Sequence, residues 1–355
     1  MKLIFISLVT LCLILPLRGQ NYVDSTYTEQ IQQAQKMLEA LKEGQHIPGL
    51  SIAVGKGGKF IWQQGMGLAN MKEGQEVIPD TKFRIGSISK SLTAFALGKL
   101  FDQGKLDWAD PVSKYLSYEG APEYTFTIKQ LAGHQAGVRH YKGTEFYSKK
   151  AYASIEESLS IFRNDKLLFE PGTDYHYTTF GYSLLGRLIE ENSGKAYDQY
   201  MVTEVLEPLG MENTVLADAG YDESGKALFY SKGGKREAGK VNLSNKWAGG
   251  GFLSTPTDLV RFLNNASKVV SFSTLFELIT PQRLADGSST GYGIGFRISK
   301  VQATDEMIVH HGGSILGARA FLLALPDEQL VVAICTNTEA QFGVNEVYAL
   351  AKLFK

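Results

Sequence analysis

Residues 83–97 form the most apolar helix-like run of the chain, and such a run needs a large core around it. After Lys90 almost every residue is apolar and no polar stripe interrupts the run, which is typical of a helix buried on all sides. A chain of 355 residues, 44% of them hydrophobic, is long enough to supply that core. The run therefore predicts a globular protein, of one large or two interleaved domains, built around a central helix.

Ser87 and Lys90 lie at the start of this run, and their spacing of three residues puts both side chains on one face of the predicted helix. A serine is a poor nucleophile at neutral pH unless a base accepts its proton, and a lysine in a water-poor site can have a pKa low enough to do so. Gly86 permits a tight turn into the helix. Because the same spacing arises by chance about once or twice in a chain this long, the pair indicates catalysis only together with companion motifs.

Positive and negative residues nearly cancel, with 36 Lys and Arg against 37 Asp and Glu. No Lys/Arg cluster is dense enough to indicate nucleic acid or an anionic membrane surface. We therefore expect a small-molecule or peptide substrate, no nucleic-acid partner, and no membrane association of the mature protein. The sequence leaves self-association open.

Residues 1–19 have the pattern of a secretory signal peptide, with Lys2 before an apolar run at 3–17 and cleavage expected near Gly19. The apolar run is too short for an ordinary membrane span, although an uncleaved N-terminal anchor is the alternative. Cleavage would remove Cys12 and leave Cys335, in an apolar strand-like run, without a partner for a disulfide. We expect a secreted or periplasmic protein in which Cys335 is buried and structural.

The order of predicted elements places helices between two groups of strands. Apolar spacing predicts an amphipathic helix at 27–44, a hairpin from 50–54 and 60–64, and a mainly helical region from about 128 to 262 that includes a helix at 182–192. Strands are expected at 292–298, 307–310, 318–325 and 330–335, with a last helix at 345–354. Thr255, Pro256 and Asp258 have the pattern of a helix start, which favours a capping role for Asp258 over a catalytic one.

Residues 170–186 form a second chemical stretch, in a loop that leads into a helix. A tyrosine there could present its hydroxyl to a cleft, although ordinary packing explains any single one of them. The spacing alone cannot choose among Tyr175, Tyr177 and Tyr182.

The third stretch is 309–317, where glycines would let a strand backbone come close to a ligand. A free backbone N–H there could stabilise an oxyanion. His310 and His311 are adjacent, and neighbours in a strand point to opposite faces, so they cannot easily share a metal ion. The other histidines show no ligand spacing. We expect neither a metal nor a cofactor.

These three stretches, in this order, resemble the class C beta-lactamase and penicillin-recognising serine hydrolase family, which includes D,D-peptidases and esterases. The resemblance covers nearly the whole mature chain from about Ile47, and it is closest to the branch of the mitochondrial beta-lactamase-like serine protease and its bacterial relatives. The closer resemblance rests on residues 138–141, 162–165, 177–182 and 246–255.

The resemblance implies an α/β protein of the α+β kind with a beta-lactamase/transpeptidase-like fold. An antiparallel sheet would be flanked by the terminal helices, and a helical domain would be inserted between its first and last strands. We expect one catalytic unit over residues 24–355, with a sheet subdomain at about 24–85 plus 286–355 and a mainly helical subdomain at about 86–285. The active site would lie in the crevice between them.

The resemblance also implies roles for single residues. Ser87 would be the acylated nucleophile, Lys90 its proton acceptor, and Tyr177 the phenol that shares in proton transfer to the leaving group. His310 matches the Lys or His that opens the third motif of the family. The backbone N–H groups of Ser87 and Gly313 would form the oxyanion hole, and the expected substrate-binding residues are Thr179 and Gly312.

Two departures from the family pattern bear on the substrate. Thr179 stands where lactamases usually carry Asn, and it lacks the paired donor and acceptor of an amide. His310 stands where they often carry Lys, and a histidine is only partly charged near neutral pH. We expect a serine hydrolase that cleaves an amide or ester bond through an acyl-enzyme, most simply a peptidase. The alternatives are a true beta-lactamase, an esterase, or a catalytically idle binding or self-assembling protein.

Overall fold

The computed structural model describes residues 19–116, 126–302 and 304–355. The predicted signal peptide lies outside the described residues except for Gly19. Within the described ranges, no helix is both long enough and apolar enough to span a membrane.

The strands of the described residues form two antiparallel sheets. They are β1 (Tyr22–Val23), β2 (Gly49–Lys56), β3 (Lys59–Asn70), β4 (Gln75–Glu76), β5 (Phe83–Arg84), β6 (Val215–Leu216), β7 (Phe252–Ser254), β8 (Arg297–Lys300), β9 (Met307–Ile315), β10 (Ala318–Leu325) and β11 (Leu330–Thr336). The large sheet has the order β1-β3-β2-β11-β10-β9-β8, with β4 paired to β3, and the small sheet has the order β5-β7-β6. The N-terminal and C-terminal strands therefore form one sheet, as the resemblance implied.

Most helices lie between the two groups of strands. The helices of the described residues are α1 (Thr28–Gly44), α2 (Ser89–Asp102), α3 (Ile128–Ala132), α4 (Ile155–Leu159), α5 (Phe180–Ser193), α6 (Tyr197–Tyr200), α7 (Glu207–Leu209), α8 (Trp247–Gly250), α9 (Pro256–Asn264), α10 (Phe272–Leu278) and α11 (Val344–Ala351). The predicted amphipathic helix at 27–44 is confirmed as α1, and the helix predicted at 182–192 is α5, which begins two residues earlier and ends before Gly194 in the left-handed conformation. The predicted beta-lactamase/transpeptidase-like fold is confirmed.

The two faces of the large sheet bury different parts of the chain. Side chains alternate across a strand, so Val332 and Ile334 of β11 pack with the terminal helices α1 and α11, while Ala333 and Cys335 pack with the inserted segment. Helix α9 lies on that second face, against β2 and β11. Cys335 is fully buried, as predicted.

Helix α2 lies in the middle of the molecule, in contact with α5, α8 and α10. From Ser89 to Gly98 every residue is buried, which confirms the prediction of a helix covered on all sides. Its polar side chains have partners within the core: Ser91 donates to the carbonyl of Gly295 over 2.6 Å, and Thr93 lies 2.7 Å from the Tyr197 hydroxyl. Sheet and inserted segment therefore meet around this helix.

Two strand predictions differ from the structure. The strand expected at 292–298 is β8, which covers only Arg297–Lys300, because Gly295 has a positive φ of 77° and turns the chain before it. The strand expected at 307–310 continues as β9 to Ile315, so the glycines lie inside the strand and not after it. Thr255 accepts a hydrogen bond from the backbone of Asp258, which confirms the predicted helix start.

Candidate active site

Ser87 lies in a single 3-10 turn, Gly86–Ile88, that leads into α2. Gly86 has a φ of +50°, and a Cβ on it would lie 2.9 Å from the backbone nitrogen of Ser314 in β9. A residue with a side chain would be strained at this position and would push against the strand. Only glycine therefore lets β9 approach the nucleophile turn this closely.

Lys90 lies one turn into the helix from Ser87, and its Nζ is 3.1 Å from the Ser87 Oγ. The lysine has no exposed surface. Its Nζ also lies 2.6 Å from the carbonyl oxygen of Gly249 and 3.2 Å from Thr179 Oγ1. Among the described residues no carboxylate forms an ion pair with it, and the three oxygens that it contacts are all neutral.

The surroundings of Lys90 favour its neutral form. Burial lowers its pKa well below the usual value, and the positive charges of Arg297 and Lys246 lower it further. A neutral amine has two N–H donors and one lone pair. The carbonyl of Gly249 and the hydroxyl of Thr179 take up the two donors, which leaves the lone pair free to accept the proton of the Ser87 hydroxyl.

The structure shows which of the three tyrosines lies beside Ser87, a choice that the spacing in the sequence left open. Tyr182 is buried, and its hydroxyl donates to the carbonyl of Ala132 over 2.9 Å. Tyr175 is half-buried, and the charged neighbour of its hydroxyl is Arg297. Tyr177 lies with its ring centroid 4.9 Å from the Nζ of Lys90, and its hydroxyl interacts with Ser87.

Tyr177 is held as a neutral phenol. Burial raises its pKa above the usual value, although the interaction with the Ser87 side chain opposes this. Its ring packs edge-on against His140, with 5.9 Å between centroids. Tyr177 is therefore the tyrosine that the fold brings to the nucleophile, as a proton-bearing hydroxyl.

The two adjacent histidines lie on opposite faces of β9, as the alternation of a strand predicts. His310 stacks on Phe321, with 5.5 Å between ring centroids, and its Nε2 lies 3.0 Å from the Ser299 hydroxyl. His311 lies on the face of the nucleophile, 6.3 Å from Tyr177 between ring centroids. Both histidines line the cleft, and His311 is the one that lies beside Lys90 and Tyr177, where the resemblance placed His310.

His311 is a neutral imidazole with a defined tautomer. Its Nδ1 lies 2.8 Å from the carbonyl oxygen of Gly312 and therefore carries the proton. Its Nε2 accepts from the Tyr292 hydroxyl over 3.0 Å. Burial lowers its pKa well below the usual value. The sequence could not choose between the two histidines, because His-x-Gly starts equally well at 310 and at 311.

The backbone of β9 next to Ser87 also differs from the prediction. Ile315 and Ala318 pair directly across a two-residue hairpin, so odd-numbered residues of β9 point their N–H groups toward β10. Gly313 is among these, whereas the N–H of Ser314 points to the other side. Since β8 pairs with β9 only as far as His310, the N–H of Ser314 faces the nucleophile turn. The register therefore makes Ser314, not Gly313, the second candidate donor of the oxyanion hole.

Gly313 has a different role in the approach of strand and turn. A Cβ there would lie 1.8 Å from the carbonyl oxygen of Ile85 and 3.3 Å from the nitrogen of Ser87. Any side chain at Gly313 would therefore force β9 away from the nucleophile. Gly312 and Thr179, the predicted substrate-binding residues, both line the cleft, and Thr179 additionally contacts Lys90 as described above.

The cleft at Ser87 has a volume of about 560 Å³ and is rich in cations. Lys246, Arg297 and Arg319 contribute to its wall, and no described residue of the wall is an Asp or Glu. Arg297 lies over the rings of Tyr177 and Tyr292, at 5.1 and 5.6 Å from their centroids. The predicted site residues included none of these three cations, although Lys246 opens one of the stretches that carry the resemblance and Arg319 lies two residues after the stretch 309–317.

The loop that carries His140 and Tyr141 into the cleft is fixed by Arg139. This buried arginine donates to Glu145 over 2.7 Å and to the carbonyl of Ile161 over 3.0 Å, and it forms an ion pair with Asp165. His140 in turn accepts from the backbone N–H of Thr179 through Nδ1, so its Nε2 carries the proton. Burial lowers the pKa of His140 to about 4, so this neutral ring is a fixed donor at the cleft wall.

A comparison with known proteins agrees with this geometry. The model of the Beta-lactamase family matches residues 34–353. The mouse (Mus musculus) serine beta-lactamase-like protein LACTB, mitochondrial, is 31% identical over 317 residues, which is 67% of this chain and 57% of that protein. The chain thus spans little more than half the length of this relative.

Solved structures share the fold. The octameric penicillin-binding protein homologue from Pyrococcus abyssi superposes with a TM-score of 0.79 at 26% identity, covering 91% of this chain and 77% of that one. A D-stereospecific amidohydrolase from Streptomyces superposes with a TM-score of 0.73 over 90% of this chain and 98% of that one, and at 22% identity it shows the fold alone. The chain belongs to the Beta-lactamase family, a family of serine hydrolases with the penicillin-binding-protein fold.

Proposed function

We propose that this protein is a serine amidohydrolase that acts on peptides through an acyl-enzyme on Ser87. The observation that carries the proposal is the 3.1 Å contact between Ser87 Oγ and the amine of Lys90, which is fully buried. Burial of an amine without a carboxylate partner is costly unless the amine is neutral, and a neutral amine is what a serine nucleophile needs beside it.

The proposed reaction begins with attack of the Ser87 oxygen on the substrate carbonyl while Lys90 takes the hydroxyl proton. The backbone N–H groups of Ser87 and Ser314 stabilise the negative charge on the carbonyl oxygen, a contribution worth about a hundredfold or more in rate. Tyr177 gives its proton to the leaving nitrogen and is reprotonated from Lys90. Water then attacks the ester with the proton transfers reversed, which releases the acid and restores Ser87.

Two features favour a peptide over a beta-lactam. Thr179 makes its hydroxyl contact with Lys90 and offers no amide to a substrate side chain. His311 is neutral, so the cation of the third motif is absent, and Arg297 beside Tyr177 is the cation closest to the leaving group in the proposed reaction.

The test is the intact mass of the protein after treatment with a fluorophosphonate and, separately, with a penicillin. Ser87→Ala is the inactive variant, and Ser267→Ala, at an exposed serine, is the matched control. We expect a fluorophosphonate adduct on the parent protein and on Ser267→Ala but not on Ser87→Ala, and a penicillin adduct that persists for hours. Folded protein that takes up neither reagent would refute the hydrolase proposal and favour a binding or self-assembling protein.

Hydrolysis of peptide amides is measured separately, with D- and L-aminoacyl coumarin amides and the corresponding thioesters. We expect turnover of both classes, with a loss on the order of a thousandfold or more in kcat/KM for Ser87→Ala. Turnover of thioesters alone would make the protein an esterase, and rapid turnover of a chromogenic cephalosporin would make it a beta-lactamase.

A further inference from the structure

Lys246 is a buried cation at the wall of the cleft that the proposed reaction does not use. It is 1% exposed, and its Nζ donates to the carbonyl of Phe146 over 2.6 Å. The ammonium also lies over two aromatic rings, 5.0 Å from the centroid of Tyr141 and 4.8 Å from that of Phe146. An ammonium has three N–H donors, and one is taken up by a described oxygen.

The position of Lys246 is costly for folding alone. Among the described residues it has no carboxylate partner, and burial lowers its pKa to about 7, with a further contribution from the charge of Arg84. With a pKa of about 7 the amine is protonated in part of the molecules at neutral pH, and an anionic ligand in the cleft would stabilise the protonated form. The acid-free wall described above points to the same kind of ligand, an anion.

Lys246 and Arg297 lie at separate ends of the cleft. Arg297 contacts the rings of Tyr177 and Tyr292, whereas Lys246 contacts Tyr141 and Phe146. His140 lies between the two ends, 4.4 Å from Tyr141 and 5.9 Å from Tyr177 between ring centroids. An anion bound at Lys246 would therefore contact a different part of the wall from a group bound at Arg297.

The stem of Lys246 leads back to the nucleophile turn. Its Cγ and Cδ lie 3.8 Å from the position a Cβ on Gly250 would have, and that position is 3.9 Å from the carbonyl carbon of Gly86. In the proposed reaction Tyr177 serves the leaving group, so the end of the cleft lined by Tyr141 and Phe146 receives the part of the substrate that becomes attached to Ser87.

We propose that Lys246 is a specificity-determining residue that binds a carboxylate on the acyl part of the substrate, close to the carbonyl that Ser87 attacks. This inference rests on the proposed acyl-enzyme function. Tyr141 and Phe146 hold the ammonium in place through their ring faces. A carboxylate adds charge-assisted hydrogen bonds to the N–H donors that remain. The substrate class is thus an amide or ester of an acidic acyl residue.

The experiment compares acyl donors that differ only in charge. N-acetyl-glutamyl and N-acetyl-glutaminyl α-thiobenzyl esters, each in D and L form, are assayed together with the matching coumarin amides. We expect kcat/KM to favour the glutamyl substrate by about tenfold to a hundredfold, the range of a hydrogen bond to a charged group. In Lys246→Met this ratio falls to about one, and in Lys246→Arg a preference remains.

The ratio of the two substrates isolates recognition from catalysis. Lys246 also lowers the pKa of Lys90, and a change in Lys90 affects both substrates equally and cancels in the ratio. Lys268→Met, at an exposed lysine, is the control for loss of a charge. Fluorophosphonate labelling of Ser87 reports correct folding, and Lys246→Gln replaces Lys246→Met if the latter does not label.

A ratio near one in the parent protein, or a ratio that survives in Lys246→Met, overturns the inference. The proposed function fails separately: thioesters hydrolysed with the expected ratio while the coumarin amides stay intact would refute the amidohydrolase and retain the subsite. Hydrolysis of both classes with equal kcat/KM for the glutamyl and glutaminyl substrates would refute the subsite and retain the amidohydrolase. Turnover of neither class in protein that labels at Ser87 would overturn both.

Discussion

Replacing Lys90 with Met tests whether its amine is neutral in the folded protein. Burial lowers the pKa of Lys90 well below its usual value of 10.5. At a pH between the folded pKa and 10.5, Lys90 is protonated in the unfolded chain and neutral in the folded chain. The free energy of unfolding therefore increases with pH in this window. The slope is about 1.4 kcal/mol per pH unit for one such group. Lys90→Met has no such group, and its free energy of unfolding lacks this slope.

The difference in stability between Lys90→Met and the parent protein therefore depends on pH. Other titrating groups are common to both proteins and cancel. From pH 7.5 to pH 9.5 the stability of the parent protein should increase relative to Lys90→Met, by up to about 1.4 kcal/mol for each pH unit that lies above the folded pKa. The increase is fully expressed above pH 10.5 and is lost as the pH falls through the folded pKa.

The assay is urea unfolding of both proteins at pH 7.5, 8.5 and 9.5, followed by tryptophan fluorescence. Lys268→Met, at an exposed lysine, should run parallel to the parent protein. If Lys90→Met also runs parallel, Lys90 is protonated in the folded state throughout this range. It could not then accept the proton of Ser87, and the proposed role of Lys90 as the base would be refuted.

Three further tests, with five substitutions, probe the geometry of the site. Gly86→Ala should lower the rate of fluorophosphonate labelling about a hundredfold, because the added Cβ would lie 2.9 Å from the backbone nitrogen of Ser314 and displace the oxyanion hole. Labelling at the rate of the parent protein would contradict this prediction. Tyr177→Phe should lower kcat about a hundredfold or more, because it removes the hydroxyl that gives its proton to the leaving group. Tyr182→Phe loses a structural hydrogen bond and should mainly lower the melting temperature. Equal losses of kcat in the two variants would contradict the role proposed for Tyr177. His311→Asn should lower kcat/KM at least about tenfold more than His310→Asn, and the reverse order would restore the prediction from sequence.

The sequence predicted the parts of this structure that depend on local patterns. The apolar run after Lys90 has the pattern of a buried helix, and the short continuous apolar run at 330–335 has the length and composition of a core strand. The spacing of Ser87 and Lys90 within one helical turn likewise required no knowledge of the rest of the fold. For these features the local sequence was sufficient for the prediction.

The errors concern features set by neighbouring strands. Whether His310 or His311 faces the nucleophile depends on which face of β9 covers α2, and a shift of one residue exchanges the two. The same register decides between Gly313 and Ser314 as the N–H that faces Ser87. The pairing of β9 with β10 determines which histidine and which N–H group face Ser87. The sequence of β9 alone does not predict that pairing.

The charges of the cleft explain why a neutral histidine is compatible with the third motif. His311 takes a hydrogen bond from Tyr292 and is buried, so it gives the site no positive charge. Arg297 and Lys246 supply that charge from either end of the cleft, and both lower the pKa of Lys90 without contacting it. A lysine in place of His311 would add a third cation beside Lys90 and would have no acid to pair with. In the proposed reaction this arrangement would separate two tasks: the cations of the wall would attract an anionic substrate, and the neutral groups next to Ser87 would move its proton.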